Sequence, residues 1–452
     1  MTTQEILDYV KHHPSGKVKV AVTDIDGVLR GKYISAEKFS SIAAGRLGFC
    51  DVTFGWDMGD AAYDNVKFTG WHTGYPDALV KLDLETFRKI PWENDIPFFL
   101  GDFMDEQDKA GVVCPRQLLR KVLSDTQQAG FFPYFSQEFE WFNFAETPET
   151  AHQKNFQNLT PLSPGMFGYS ILRSSLKNEY MSDLFDQLCK FGVPIEGLHT
   201  ETGPGVYEAA IKYAPVLQAA DQAALFKTAV KEIAYKHGVM ATCMAKISEN
   251  LPGCSGHVHQ SLWDPDAKNN LFYDETDERR MSSLMKSYIA GQLYCLPHIL
   301  PMIAPTINSY KRLVEGAWAP TTLTWGIDNR TVALRALPGN PKATRLETRV
   351  VGSDTNPYLA LSACLAAGLY GIRNNMKLEK AATEGNGYRD ISNGVLPGNL
   401  HEATQRMKGS AVARELFGEA FVEHFTLTRE WEWRQYAKVV TDWEFKRYFE
   451  II

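Results

Sequence analysis

The chain has 452 residues, 44% of them apolar and 22% charged, with a formal net charge of −7. That composition suits a folded chain with a large core, long enough for two or three domains or for a large catalytic domain beside a small one. The acidic balance argues against binding nucleic acid or anionic membranes, both of which call for a basic patch.

In chain order, Thr2-x-x-Glu5 predicts a capping box for a short helix that carries Ile6 and Val10 and stops before Pro14. Lys17–Val22 predicts a strand running into Asp24-Ile25-Asp26-Gly27. Residues 50–76, rich in Gly, Asp and aromatics without a helical period, predict a long functional loop. Val80–Leu84 and Phe98–Phe103 predict strands, and the polar stretch Asp105–Gly111 predicts the joint between a domain of 1–108 and one of 109–452. Beyond it, a helix is expected from Pro115 through Leu118, Leu119, Val122 and Leu123, closed by Gly130. Tyr134–Phe144 should be a strand, Asn178–Gly192 a helix, and Ile195–Tyr213 two strands about a Thr-Gly-Pro-Gly turn. Helices are expected at Pro215–Gly238, Glu278–Leu296 and Pro357–Arg373. Strands are expected at Ala241–Ile247, His257–Leu262, Thr321–Trp325, Thr331–Leu337 and Arg345–Val350. The fold class is therefore α+β, an antiparallel sheet with a polar inner face and helices packed outside.

Seven scattered cysteines without a C-x-x-C pair read as reduced thiols of a cytoplasmic chain. No basic stretch followed by an apolar run opens the sequence, so no secretory signal is expected. The longest apolar run, Tyr358–Ile372, is too short and too mild for a membrane span.

The chemistry concentrates on strands. Residues 308–357 hold Arg312, Arg330, Arg335, Arg345 and Arg349, with Glu347 between the last two, among Trp318, Trp325, Leu334 and Leu346. Arg345, Glu347 and Arg349 fall at i, i+2 and i+4, so a strand turns all three to one face. Such a face suits polyphosphate and carboxylate, which guanidinium grips bidentately. Glu138 and Glu140 share a face of the expected strand, where like charges repel unless a cation joins them. Glu201 and Glu208 bracket the Gly-Pro-Gly turn, and His257 and His259 form another i, i+2 pair. Oxygen-rich ligation with one nitrogen favours Mg²⁺ or Mn²⁺.

Six ordered blocks then carry a resemblance over nearly the whole chain. They are Glu138-Phe-Glu140, Glu201-Thr-Gly-Pro-Gly-Val-Tyr-Glu208, Gly256-His257-Val-His259-Gln-Ser261, Asn308-Ser-Tyr-Lys-Arg312, Asn329-Arg330 through Arg335, and Arg345-Leu-Glu347-Thr-Arg349 with Asn356-Pro-Tyr-Leu. The chain resembles the glutamine synthetase superfamily, and most closely its γ-glutamylamine (glutamate–amine) ligase branch. The resemblance implies a small N-terminal β-grasp domain and a large catalytic domain built on a curved antiparallel sheet. It also implies a homo-oligomer, a dodecamer of two stacked hexameric rings with active sites between subunits.

The substrates implied are glutamate, ATP and an amine, with two or more Mg²⁺ or Mn²⁺ per site. One cation would lie on Glu140, Glu201 and Glu208, another on Glu138, His257 and Glu347. Arg312 and Arg349, with Gly253 of the Pro252–Gly256 turn, would hold the glutamate. Arg330 and Arg335 would neutralise the transferring γ-phosphate, and Arg335, His259, Ser261, Lys342 and Arg345 would line the nucleotide. Arg312, Arg330 and Arg349 would thus carry catalysis, while Trp318 and Tyr169 would line the amine site.

Departures from the family pattern bear on the nucleophile. Glutamine synthetases proper carry a flap Glu six residues after the arginine matched by Arg312, whereas this chain has Trp318. The loop that supplies an ammonium-site Asp reads Phe54-Gly55-Trp56-Asp57 here. An amine would bury carbon against the indole at about 0.8 kcal/mol per methylene, and its ammonium form would gain a cation–π contact. Gly394 stands where adenylylated bacterial enzymes carry their Tyr, so that regulation is not expected. Three other readings compete: a glutamine synthetase using ammonia, a catalytically inactive family member, and a haloacid-dehalogenase-like phosphatase whose nucleophile motif would be Asp24-Ile25-Asp26.

Overall fold

The computed structural model describes residues 1–452 apart from Ala44 and 105–109. The helix Thr3–His12 opens the chain with both capping-box bonds formed: the Thr2 hydroxyl accepts from the Glu5 amide (3.3 Å) and the Thr2 amide donates to the Glu5 carboxylate (2.7 Å). Strands β1 (Lys17–Thr23), β2 (Leu29–Ser35), β3 (Leu47–Cys50), β4 (Asp77–Ile90) and β5 (Ile96–Phe103) form a sheet in the order β2-β1-β5-β4-β3. Its β1–β5 pair is parallel and the others antiparallel. Between β3 and β4 there is one 3-10 turn, Asp51–Phe54, in an otherwise irregular loop, in keeping with the composition of residues 50–76. Most of the expected domain joint lies outside the described residues. Its last two residues, Ala110 and Gly111, open the helix Ala110–Val113.

The second, curved sheet has nine strands. These are β6 (Phe132–Phe144), β7 (Ile195–Thr200), β8 (Val206–Ile211), β9 (Ala214–Pro215), β10 (Met240–Thr242), β11 (Val258–Trp263), β12 (Trp325–Ile327), β13 (Leu334–Leu337) and β14 (Arg345–Thr348). They run β12-β13-β14-β11-β6-β8-β7, with β9 and β10 also on β6, and only the β12–β13 pair is parallel among them. Strand β6 is the spine, and its alternation decides which face is which. Phe139 and Trp141 are fully buried and meet Phe226 of the helix Val216–Lys236 at centroid distances of 5.3 and 5.6 Å. Period-two alternation therefore turns Glu138 and Glu140 to the inner face.

Two helices seal the outer face over β11 and β14, Ser283–Ile299 and Pro357–Arg373. They cross so closely that a Cβ on Gly371 would sit 2.0 Å from the Ser287 carbonyl oxygen, and one on Gly291 2.4 Å from that of Ala367. Beneath the crossing, Tyr288 and Gln292 donate to Gln260 (2.7 and 2.6 Å). Gln260 in turn donates to Thr348 (2.7 Å), which donates to Gln292 (2.8 Å). This closed ring fixes β11 against β14, the strands that carry His259 and Glu347.

Several elements differ from expectation. The strand expected at Ala241–Ile247 is only Met240–Thr242. The one expected at Thr321–Trp325 lies at Trp325–Ile327, because residues 321–323 pair with another loop: Leu323 donates to Gly394 O, Thr322 to Gly387 O, and Leu396 back to Thr321 O. The helix expected from Glu278 starts at Ser283. Asp277 accepts the Arg279 and Met281 amides, which holds a turn, and Ser282 then caps the Met285 amide. Helices Leu400–Lys408, Ala411–Phe417 and Glu419–Ala437 were not anticipated. Among the described residues no helix is long and apolar enough to cross a membrane.

Candidate active site

Strand register brings the distant carboxylates together. Glu140 of β6 pairs with Glu208 of β8, and Glu347 of β14 pairs with both His259 of β11 and Arg335 of β13. Two groups of donor atoms result. In one, His257 Nδ1 lies 2.8 Å from Glu138 Oε1 and 3.4 Å from Glu347 Oε1, while His259 Nε2 lies 3.4 Å from Glu138 Oε2. The other gathers Glu140, Glu201 and Glu208 around a shared opening.

The electrostatics of the groups differ. Burial pushes the Glu347 carboxyl up, but the His257 and His259 imidazoles and the Arg349 guanidinium outweigh it and hold the group at about 2. Arg349 and Arg335 donate to its two oxygens at 2.5 and 2.8 Å. Burial, joined by repulsion from Glu208, pushes the Glu140 carboxyl up to about 8, although it accepts the Ser255 amide at 2.6 Å. Burial and the nearby Arg349 pull His257 down to about 4. His257 Nε2 and Glu201 Oε2 are buried without a hydrogen-bond partner. Mutually repelling carboxylates, a neutral imidazole and orphaned buried donors fit the ligation of hard divalent cations.

Two cavities meet at Glu138. One, of about 530 Å³, is lined by the four carboxylates Glu138, Glu140, Glu201 and Glu208 together with Gly253, His257, Arg330 and Arg349, and Tyr169 and Trp318 stand on its wall. The other, of about 340 Å³, brings in His259, Ser261, Lys342 and Arg345. Arg345 Nε lies 3.2 Å from His259 Nδ1. Gly253 is required where it sits, because a Cβ there would come within 2.5 Å of the Ala245 carbonyl oxygen and 2.7 Å of Arg312 Cγ. Two of the five arginines stand back from the cavity walls. Arg335 spans Glu347 and Asp328. Arg312 is 1% exposed and donates to Val350 O (2.9 Å), Arg349 O (3.1 Å) and Ser255 Oγ (2.9 Å), behind the wall that Ser255 and Arg349 form.

Some site residues escaped the sequence reading. Tyr134, Tyr213 and Trp263 form an aromatic wall in the smaller cavity, with Tyr134–Tyr213 and Tyr134–Trp263 centroids both 5.6 Å apart. His199 lies 3.4 Å from Glu208 and 3.7 Å from Glu201. Its i, i+2 spacing to Glu201 is the same signal that picked out Glu138–Glu140 and His257–His259.

The phosphatase reading of Asp24 does not hold. The Asp24 side chain accepts the amides of Asp26 (3.0 Å) and Val28 (2.9 Å) and pairs with Arg30 (2.9 Å), while Asp26 pairs with Arg429. Both carboxylates are tied into the fold, and neither is free to attack phosphorus.

Residues 112–448 match the glutamine synthetase catalytic domain, so the protein is a ligase of the glutamine synthetase family, to which the chain belongs. It is 54% identical over 450 residues to type-1 glutamine synthetase 2 of Dictyostelium discoideum, covering 99% of this chain and 86% of that one. It is 36% identical to glutamate–isopropylamine ligase of a Pseudomonas species (99% and 98% covered) and 34% identical to a γ-glutamylethanolamide synthetase of Streptomyces coelicolor (96% and 92% covered). A solved structure described as a GmaS/ADP complex superposes with a TM-score of 0.85 at 25% identity, covering 98% of this chain and 99% of the other.

Proposed function

We propose that the protein joins the γ-carboxylate of L-glutamate to an organic amine, a mono- or polyamine, and consumes ATP through a γ-glutamyl phosphate. The observation that carries this reading is Trp318: an indole stands on the wall of the carboxylate-lined cavity where ammonia-using relatives carry a flap glutamate. An indole cannot take a proton from ammonium, but it offers apolar area to an alkyl group. Two relatives named for amine substrates over nearly their whole length support the same reading.

In this reading Glu140, Glu201 and Glu208 would hold one Mg²⁺ or Mn²⁺, and Glu138, His257 and Glu347 a second. When bound, the cations would neutralise phosphate charge. ATP would lie in the smaller cavity, its base against Tyr134, Tyr213 and Trp263 and its phosphates near His259, Ser261, Lys342 and Arg345. Glutamate would sit on Arg349 and Gly253, with Arg312 behind them holding the Ser255 turn. Arg330, with Arg335 pinned through Glu347, would meet the charge of the transferring phosphoryl group. A γ-carboxylate oxygen attacks the terminal phosphorus and ADP leaves. The amine nitrogen then attacks the acyl carbon, one proton is lost and phosphate departs. Enclosure of the acyl phosphate keeps water from competing.

The test is a phosphate-release panel with glutamate, ATP and varied nucleophiles: ammonium, short monoamines, ethanolamine, putrescine and spermidine. We expect an organic amine to give the highest kcat/KM, and best turnover with ammonium would overturn the reading. The second reading, ammonia as nucleophile, is favoured by the 54% identity to a protein named as a glutamine synthetase. We further propose an N-terminal β-grasp domain of residues 1–108, a catalytic domain of 109–452 and a cytoplasmic location, which suits seven free cysteines. The assembly proposed is a dodecamer of two stacked hexameric rings. Light scattering is expected to give twelve times the 50.9 kDa chain mass.

A further inference from the structure

His199 stands beside the three carboxylates proposed for the first cation. It is the next-to-last residue of β7, so it and Glu201 fall at i and i+2, and the register pairs it with Glu208 of β8. Its Nδ1 lies 3.0 Å from the Thr200 carbonyl oxygen. A carbonyl only accepts, so Nδ1 donates to it, with Glu201 Oε2 3.7 Å away, and Nε2 is the nitrogen that a cation shared with Glu208 would reach in place of a proton. Nε2 faces Glu208 Oε1 at 3.4 Å. Two donors that share one small cation at about 2.1 Å each lie roughly 3.0–3.4 Å apart, depending on geometry. One donor atom from each of His199, Glu201 and Glu208 lies within 4.8 Å of the others. Glu201 Oε2 is buried and lacks a hydrogen-bond partner. The Tyr169 ring stacks on the imidazole with centroids 4.3 Å apart and planes 25° from parallel, which fixes the direction of the Nε2 lone pair.

Resting on the reading above that this carboxylate group holds a divalent cation, we propose that Nε2 of His199 is a further ligand of that cation. Both cation positions then have a nitrogen among oxygens, and the first prefers Mn²⁺ over Mg²⁺ more strongly than carboxylates alone would make it. Tyr169 becomes a positioning residue that couples the amine pocket to the cation by holding the imidazole flat.

The test loads the full chain with Mn²⁺ alone, without nucleotide, and counts coupled nitrogens by electron-spin-echo envelope modulation while calorimetry follows Mn²⁺ and Mg²⁺ affinity. In H257N/H259N, which removes both imidazoles beside Glu138 and Glu347, the modulation that remains should come from His199, and the added H199N substitution should abolish it. H199N alone should weaken one Mn²⁺ site by about 10–100-fold and Mg²⁺ by less. H199Q, checked for fold by circular dichroism, serves as a second variant and should behave in the same way. Nitrogen modulation that survives unchanged when H199N or H199Q is added to the H257N/H259N chain overturns the inference. If E208Q binds Mn²⁺ as tightly as the unaltered chain, the carboxylate site itself is misassigned and the parent reading falls, whatever His199 does.

Discussion

Trp318 occupies left-handed backbone, with φ at 59°, and is 58% exposed at the cavity edge. Trp318→Glu leaves that backbone demand nearly unchanged and exchanges apolar area for a carboxylate, so the ammonium-to-alkylamine ratio of kcat/KM is expected to rise. Each methylene no longer buried should cost the amine about fourfold, from about 0.8 kcal/mol. An unchanged ratio would remove the indole from the selectivity argument. Glu146, two residues beyond the end of β6, makes a second residue-scale prediction. Its carboxylate accepts from Lys154, the Thr160 amide and Thr150, and the Lys154 contact leads in holding the group down at about 2. Because the folded value is depressed, the stabilisation is complete above the ordinary value of 4.5 and is lost as pH falls toward 2. Hydrogen exchange of peptides covering 146–162, corrected for intrinsic pH dependence, should therefore rise between pH 4.5 and 2. Glu146→Gln should show raised exchange already at neutral pH.

At the scale of elements, the crossing of Ser283–Ile299 and Pro357–Arg373 depends on bare backbone at Gly291 and Gly371. Gly371→Ala should force the helices apart at a cost of about 1–3 kcal/mol, read from denaturant unfolding. Metal-independent loosening of the Gln260–Thr348–Gln292 ring should accompany it. The helix Pro357–Arg373 was legible to the residue, because Asn356-Pro357 marks its start and an unbroken apolar run follows. Period-two spacing likewise put Glu138 and Glu140 on one face. Strand ends set by long-range partners were not legible: nothing local in Thr321–Leu323 announces that its amides and hydroxyls answer residues 387–396. The same limit applied to Arg312, whose burial behind Ser255 is decided by carbonyls 37 and 38 residues away. The aromatic wall of Tyr134, Tyr213 and Trp263 spans three strands or their ends and has no sequence period at all.

At the scale of the whole molecule, one buried ion pair joins the turn after β1 to the helix Glu419–Ala437. Arg429 and Asp26, with side chains 2% and 4% exposed, meet at 2.5 Å, and Arg429 also donates to the Pro305 carbonyl at 2.8 Å. Arg429→Met leaves a carboxylate buried without its partner and should cost about 3–5 kcal/mol, while Asp26→Asn in the same chain should recover part of that loss. Additive losses in the double-mutant cycle would show that the two side chains do not depend on each other. The pair spans 403 residues of sequence. In synthesis, the carboxylate groups of the candidate site, Glu138 through Glu347, thus precede Arg429. During that interval the turn is held by its local bonds, Asp24 to the Asp26 and Val28 amides and to Arg30, and the Asp26 carboxylate waits for the guanidinium that buries it.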